Sequence, residues 1–116
     1  MSKNEILKLF PEPVFKYHIE DSKNLNSELS KYIYTLHDED KEGIERSNRG
    51  GWHSKNFNLN DIDSVQHKFA IEVQKYILDT FVNLGWKTKD TNIQIKEMWA
   101  IINKKDDFNV IHTHPN

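Results

Sequence analysis

Apolar residues recur at spacings of three and four in two stretches of the chain, a pattern typical of helices with one buried face. The first predicted helix follows cap-type residues at positions 21–24 and ends near Leu36. Its apolar stripe is Leu25, Leu29, Ile33 and Leu36. The second predicted helix is longer, with a cap at Asn60 or Asp61 and a natural stop at Gly85. Its stripe is Ile62, Val65, Phe69, Val73, Tyr76, Ile77, Phe81 and Leu84.

Apolar and polar residues alternate between positions 14 and 19, just after an extended entry that contains two prolines. Phe15, Tyr17 and Ile19 share one face, which predicts a half-buried strand. The polar stretch 37–51 separates the two predicted helices and contains three glycines, so it predicts a loop.

A β-hairpin is predicted in the last quarter of the chain. Residues 91–103 become apolar on both faces toward their end, which is typical of a buried strand. A polar turn at 104–107 follows, and alternation resumes over 108–114. Two strands around a short polar turn predict a hairpin. The face of its second strand is Phe108, Val110, His112 and His114.

The composition narrows the class of protein. The chain has 116 residues, 36% of them apolar and 29% charged, which predicts one α+β domain that leans on a partner for part of its core. A net charge of -2 gives no basic footprint for nucleic acid, and the lack of cysteine removes disulfides and thiolate ligands. Residues 1–10 include charged side chains and no long apolar run, so they do not predict a signal peptide, and no apolar run approaches the ~20 residues of a membrane span. The prediction is a soluble, cytoplasmic protein.

His112 and His114 are the candidate metal ligands. Residues two apart on a strand lie on the same face, roughly 6.6 Å apart along it, and imidazoles can close that gap on one ion. Neutral imidazole suits iron, copper, nickel and zinc. Two histidines leave a site incomplete, because structural zinc takes four ligands and a facial-triad iron takes three. From spacing alone, solvent-exposed histidines are the favoured interpretation, and no catalytic residue is assigned.

Other candidate side chains have weaker patterns. His53 follows Gly50, Gly51 and Trp52, where a packed tryptophan after a glycine turn is the simpler interpretation. Glu97 has no spacing that makes it a ligand, and two acidic residues at 106 and 107 fit a turn. A small zinc domain is disfavoured because the chain has no cysteines and few clustered ligands.

An ordered set of short motifs spans nearly the whole chain and resembles a family of 2-oxoglutarate- and Fe(II)-dependent oxygenases found in marine bacteria and their phages. The motifs, in order, are Leu9-Phe10-Pro11, Pro13-Val14-Phe15, Ser47-Asn48, Gly50-Gly51-Trp52-His53-Ser54, Trp99-Ala100-Ile101-Ile102-Asn103, Asn109 and His112-Thr113-His114-Pro115-Asn116. The resemblance implies a double-stranded β-helix, or jelly roll, with the two helices packed outside the sheet. It also implies Fe(II) and 2-oxoglutarate as cofactor and co-substrate, and hydroxylation of a small molecule or peptide.

The resemblance also implies that the metal ligands come from two separate segments of polypeptide. His112 matches the first histidine of the metal motif, while His114 stands where many relatives of the superfamily carry a carboxylate, so it is either an iron ligand or a neighbour of one. The distal histidine and the basic partner of 2-oxoglutarate come from a later segment in the family, and Arg46 and Arg49 lie elsewhere. The expectation is therefore that residues 1–116 are the N-terminal half of the oxygenase, completed by a C-terminal fragment or a second copy.

The main alternative is a non-catalytic structural or interaction subunit. A hairpin without the rest of its jelly roll has open edges, and open edges pair with other chains. This alternative predicts a homodimer or higher oligomer.

Overall fold

The computed structural model describes residues 4–89 and 92–114, and in that part the chain has the predicted α+β class. The elements in chain order are α1 (Ser22–Glu39), β1 (Asn48–Arg49), β2 (Trp52–His53), α2 (Val65–Asn83), β3 (Ile101–Ile102) and β4 (Phe108–Asn109). Neither helix of the described part combines the length and apolar character that a bilayer-crossing segment needs.

Both predicted helices form, with shifted ends. α1 continues to Glu39, almost one turn beyond Leu36. α2 starts at Val65, because Ser64 is the cap residue and its Oγ accepts a hydrogen bond from the amide of His67 at 3.2 Å. Asp61, one of the predicted caps, instead forms a turn before the helix: its carboxylate accepts from the amide of residue 63. The predicted cap was therefore wrong, since a turn and a cap use the same residue types.

The predicted strand at 14–19 is wrong. These residues make no strand pairing in the described part of the chain, and the side chain of Tyr17 lies against α2 instead. The ring of Tyr17 packs on that of Tyr76 at 4.8 Å, and its hydroxyl shares a hydrogen bond of 2.8 Å with Thr80. Alternation identifies which side chains face the protein, and here the partner surface is a helix rather than a neighbouring strand.

The predicted hairpin is also wrong. β3 pairs with β2 and β4 pairs with β1, both antiparallel, so the two strands belong to different two-stranded sheets. The turn between them does form, with the amide of Asp107 donating to the carbonyl of Lys104 at 3.1 Å. It does not fold β4 back on β3. The turn at 104–107 instead forms a bulge. It lies opposite Gly50 and Gly51, which separate β1 from β2.

Gly50 tests this arrangement, because its φ of 84° favours glycine and an added Cβ would overlap the carboxylate of Asp107. That carboxylate accepts from the amide of Lys104 at 2.7 Å and holds the turn. We expect Gly50→Ala to lower the free energy of unfolding by about 1–2 kcal/mol for the backbone strain and roughly 1 kcal/mol more for the disturbed hydrogen bond. Urea unfolding followed by circular dichroism measures the change.

Gly85→Ala is the matched control for that substitution. Gly85 has a similar φ of 78°, but an added Cβ would meet nothing within 4 Å. The control therefore carries the backbone strain without the overlap. Equal losses at both glycines would contradict the packing of the bulge against Gly50.

The core lies where the segment 52–57 crosses α1. Trp52, Phe57 and Ala100 are buried, and half-buried residues surround them: Tyr32, Ile33, Leu36, Leu59, Met98 and Ile102. Ser54 joins the two β segments beneath this core with only 1% of its surface exposed. Its Oγ accepts from the amide of Ala100 at 2.9 Å and donates to the carbonyl of residue 55 at 2.7 Å. The buried hydroxyl is thus fully used, and it fixes β2 against β3.

Tyr32 gives the core a pH dependence. Burial raises the pKa of its hydroxyl above the ordinary value of 10.0, and the charge of Glu39 adds to that rise, against a backbone hydrogen bond at Asn58 that lowers it. Above pH 10 the unfolded chain therefore loses this proton first, so the free energy of unfolding falls as the pH rises from there. We expect Tyr32→Phe to reduce that alkaline loss. Urea unfolding at pH 8 and near pH 11 measures it, with the exposed Tyr34→Phe as control, and an unchanged alkaline loss in Tyr32→Phe would contradict it.

The chain exposes far more surface than its mass predicts. Its accessible surface is 10337 Å², whereas a compact monomer of 13.8 kDa exposes about 6,600 Å². Its radius of gyration is 19.1 Å, against about 13 Å for a compact domain of this length. Large apolar side chains such as Phe10, Val14 and Ile111 are almost fully exposed.

Candidate functional site

The two candidate metal ligands lie side by side in the segment that follows β4. The strand predicted over 108–114 ends at Asn109, and the amide of Val110 makes one further ladder bond, to the carbonyl of Ser47 at 2.8 Å. His112 and His114 follow outside the described strands, with their rings 4.9 Å apart. The two imidazoles therefore lie side by side. Pro115 and Asn116, the end of the sequence motif, lie outside the described residues.

The ring nitrogens of this pair have the spacing of two ligands on one ion. Nδ1–H of His112 donates to the carbonyl of Val110 at 2.8 Å, so Nε2 of that ring is the acceptor nitrogen and takes the hydrogen bond from Nε2–H of His114. The two Nε2 atoms are 3.2 Å apart. Two imidazole nitrogens bound at about 2.0–2.1 Å lie about 2.9 Å apart at a right angle and about 3.4 Å apart at a tetrahedral angle. The donor set therefore fits two positions of a borderline metal ion such as Fe(II) or zinc.

The described residues do not complete a metal site around the pair. They contain no group of three or more histidine, cysteine, aspartate or glutamate side chains that could hold an ion. Asp107 and Asp106 are turn residues, as predicted: one accepts from the amide of Lys104 and the other has a φ of 74°. Glu97 lies on the wall of the same cleft as the histidines without belonging to such a group.

A cleft of about 710 Å³ opens beside the histidine pair. Trp99 and Ile101 form its apolar part, and the polar side chains on its wall include three histidines, two asparagines, Arg46 and Glu97. This volume matches the usual range of small-ligand sites, about 300–1,000 Å³. An apolar wall with a few polar groups is also the usual lining of such sites. The arrangement can hold a small organic molecule next to an ion bound by His112 and His114.

His53 is fixed in the wall of this cleft. It is 5% exposed, its ring stacks on Trp99 at 5.6 Å and 16°, and its Nδ1–H donates to the carbonyl of Ser54 at 2.6 Å. No fully buried side-chain nitrogen or oxygen of the described part lacks a hydrogen-bond partner. Nε2 of His53 has no hydrogen-bond partner among the described residues, so this nitrogen is accessible to solvent. Since His53 lines the cleft, Nε2 is accessible from the cleft. It offers the cleft a hydrogen-bond acceptor.

The sequence interpretation of positions 50–53 covered only part of this arrangement. The packed tryptophan is present, since Trp52 is buried in the core, and the glycines form the interruption between β1 and β2. The place of His53 on the cleft was missed. The only local indication was its position after a buried residue, where alternation turns the next side chain to the opposite face.

Arg46 was set aside on sequence grounds and lies on the wall of the cleft. The polar stretch before β1 folds back, with the amide of Ile44 donating to the carbonyl of His53 at 2.9 Å. The buried Asn48 fixes that return: its Oδ1 accepts from the amide of Arg46 at 2.7 Å, and its Nδ2 donates to the carbonyl of Gly51 at 3.0 Å. No periodic sequence pattern indicates this return, because it depends on the hydrogen bonds of a single asparagine side chain.

Comparisons of the chain with protein-family models, with curated proteins and with solved structures give no match.

Proposed function

We propose that this chain belongs to a non-haem, Fe(II)- and 2-oxoglutarate-dependent oxygenase that hydroxylates a C–H bond of a small molecule or peptide. The observation that supports it is the pair of Nε2 atoms of His112 and His114, 3.2 Å apart at the edge of a ligand-sized cleft. The type of reaction is proposed from the ordered sequence motifs, which resemble those of that oxygenase family. In this proposal the small antiparallel sheets are part of a double-stranded β-helix.

The residues present fit the metal in their donor chemistry. The Nε2 atoms of His112 and His114 would hold Fe(II) once the proton that His114 donates to His112 has moved to its own Nδ1, and the bond from His112 Nδ1 to the carbonyl of Val110 orients the first ring. Bound iron together with 2-oxoglutarate supplies the activation of dioxygen. By the resemblance, a further protein ligand and a basic residue come from another segment of polypeptide.

The chain itself would position the substrate. Trp99 stacked on His53 forms a flat wall that excludes water from one side of the cleft. Nε2 of His53 would accept a hydrogen bond from a substrate N–H or O–H group, because Nδ1 already carries the proton donated to Ser54. The core beneath β2 fixes this wall, since Trp52 is buried on the opposite face.

The proposed activity is tested with the natural gene product that contains these residues. We expect it to convert 2-oxoglutarate to succinate when Fe(II), ascorbate and oxygen are supplied, and to lose the conversion on His112→Ala. His18→Ala is the control, since His18 contributes only its backbone carbonyl to a described hydrogen bond. Wild-type protein that binds no Fe(II) and forms no succinate would rule out the proposal.

A second candidate function is a non-catalytic interaction subunit that oligomerises through its sheet edges. The excess exposed surface favours it, since 10337 Å² is well above the amount expected for a compact monomer. Both two-stranded sheets also have unpaired edges in the described part of the chain. We expect such a subunit to be a dimer or larger in sedimentation, with slow hydrogen exchange along β4. A monomer at all concentrations would eliminate this candidate.

A further inference from the structure

The wall of the cleft includes one arginine whose side chain has no anionic partner among the described residues. Among the residues of its wall, Arg46 is the one with a permanent positive charge. Its guanidinium has no hydrogen bond or ion pair among residues 4–89 and 92–114, although its backbone amide and carbonyl are both used. The neighbouring Arg49 differs: it donates to the carbonyls of Arg46 and Asn48 and pairs with Glu45 at 3.4 Å. Two arginines three positions apart therefore have different roles.

The backbone of Arg46 is held in place while its side chain is left open. The bond from its amide to the buried Asn48 and the bond from Ile44 to His53 bring this loop against the cleft. A side chain on a fixed backbone loses less freedom when it binds a ligand than one on a loose loop. A guanidinium offers five N–H donors in a planar fork that matches a carboxylate.

We propose that Arg46 is the carboxylate-binding residue of the cleft. The ligand is a small organic carboxylate, with its carboxylate on Arg46 and its carbon chain against Trp99 and Ile101. Two sources share this chemistry: the co-substrate 2-oxoglutarate, or a substrate of the amino-acid class. This proposal and the proposed function concern the same cleft. The proposal does not depend on iron, because Arg46 can bind a carboxylate without a metal ion.

Glu97 distinguishes the two sources. It lies on the same wall, and its carboxylate has no hydrogen bond or ion pair within the described ranges. A dicarboxylate gains nothing from a second negative charge in the cleft, whereas the ammonium group of an amino acid can pair with it. A dependence of binding on Glu97 would therefore identify a ligand that carries an amine.

The test uses metal-free protein at pH 8, where imidazole is ordinarily neutral and does not attract anions. The probes are 2-oxoglutarate, glutarate and L-glutamate, and binding is measured by calorimetry and by ligand-observed NMR. We expect saturable binding of at least one probe, a loss of about tenfold or more in Arg46→Gln, and a partial loss in Arg46→Lys, which keeps the charge without the fork. Arg49→Gln removes the same charge three residues away together with one hydrogen bond to the carbonyl of Arg46, and should weaken binding by much less than Arg46→Gln.

Which of the three probes bind, and which of them lose affinity in Glu97→Gln, identifies the ligand as the co-substrate or as the substrate. Binding of 2-oxoglutarate and glutarate that survives Glu97→Gln assigns the position to the co-substrate. Binding of L-glutamate alone, weakened in both Arg46→Gln and Glu97→Gln, assigns it to the substrate. Both patterns uphold a carboxylate position at Arg46.

Three outcomes would overturn the proposal: no saturable binding of any probe, unchanged binding in Arg46→Gln, or equal losses in Arg46→Gln and Arg49→Gln. Thermal unfolding of each variant is recorded first, and if Arg46→Gln does not fold, Arg46→Lys against Arg49→Lys makes the same comparison. Failure here leaves Fe(II) binding by His112 and His114 untouched, so it is distinguishable from failure of the proposed function.

Discussion

Replacing Trp52 with alanine is expected to remove about 3–5 kcal/mol from the free energy of unfolding, the usual cost of truncating a large buried aromatic residue. Trp52 is 8% exposed and lies at the centre of the buried cluster with Phe57 and Ala100. Its Nε1–H donates to the carbonyl of Asp40 at 2.8 Å, which ties the end of α1 to β2. Domains of this size have about 5–15 kcal/mol of stability in total, so the loss is a large part of it.

The same substitution is expected to open the cleft. His53 follows Trp52 directly, and its carbonyl accepts the bond from Ile44 that holds the loop of Arg46. Urea unfolding gives the stability, and hydrogen exchange of the amide of Ile44 reports on the cleft. Trp86→Ala is the control, because Trp86 is 60% exposed and makes only a stacking contact with Phe81, worth roughly 1 kcal/mol. Equal losses in the two tryptophan variants would contradict a core centred on Trp52.

Replacing His112 with alanine is expected to weaken Co(II) binding by about 100-fold or more. Once the first imidazole holds the ion, the second binds it within the same molecule, and such paired binding exceeds single binding by about 10²–10⁴. The Nε2 atoms of His112 and His114 need little movement for this, since they already lie 3.2 Å apart. Co(II) stands in for Fe(II) because it gives a visible absorption band and resists oxidation.

The matched variants for this titration are His114→Ala and His18→Ala. The first should weaken binding as much as His112→Ala, since either loss leaves one imidazole. The second should leave the affinity unchanged, because His18 is exposed and lies outside the cleft. If all three variants bind Co(II) as the wild type does, His112 and His114 are surface histidines, the other interpretation of their spacing.

The helices could be predicted because their signals are local. The stripe from Val65 to Phe81 repeats within a few residues, and the structure places these side chains on the half-buried side of α2. The pairing of the β-strands could not be predicted in the same way. Alternation at Ile101 and at Phe108 identified extended chain, but their partners are His53 and Arg49, which lie about 50 residues earlier. A two-residue strand inside a polar stretch leaves almost no pattern to detect.

The candidate site was predictable only where it is contiguous in the chain. His112 and His114 are two residues apart, so their shared side follows from strand geometry. Arg46 reaches the same cleft because its backbone amide donates to the buried side chain of Asn48 in β1. Sequence patterns carry periodicity, and a loop fixed by one polar side chain has none.

The turn opposite Gly50 and Gly51 carries the chain from one two-stranded sheet to the other. Between Arg49 and Trp52 one segment advances three positions, while between their partners Phe108 and Ile102 the other advances six. The three surplus residues lie in the turn at 103–107, which Asp107 holds through its hydrogen bonds with Lys104. The length of this turn sets which residue of β4 pairs with Arg49, so a change in its length would shift His112 and His114 relative to Trp99 and Ile101.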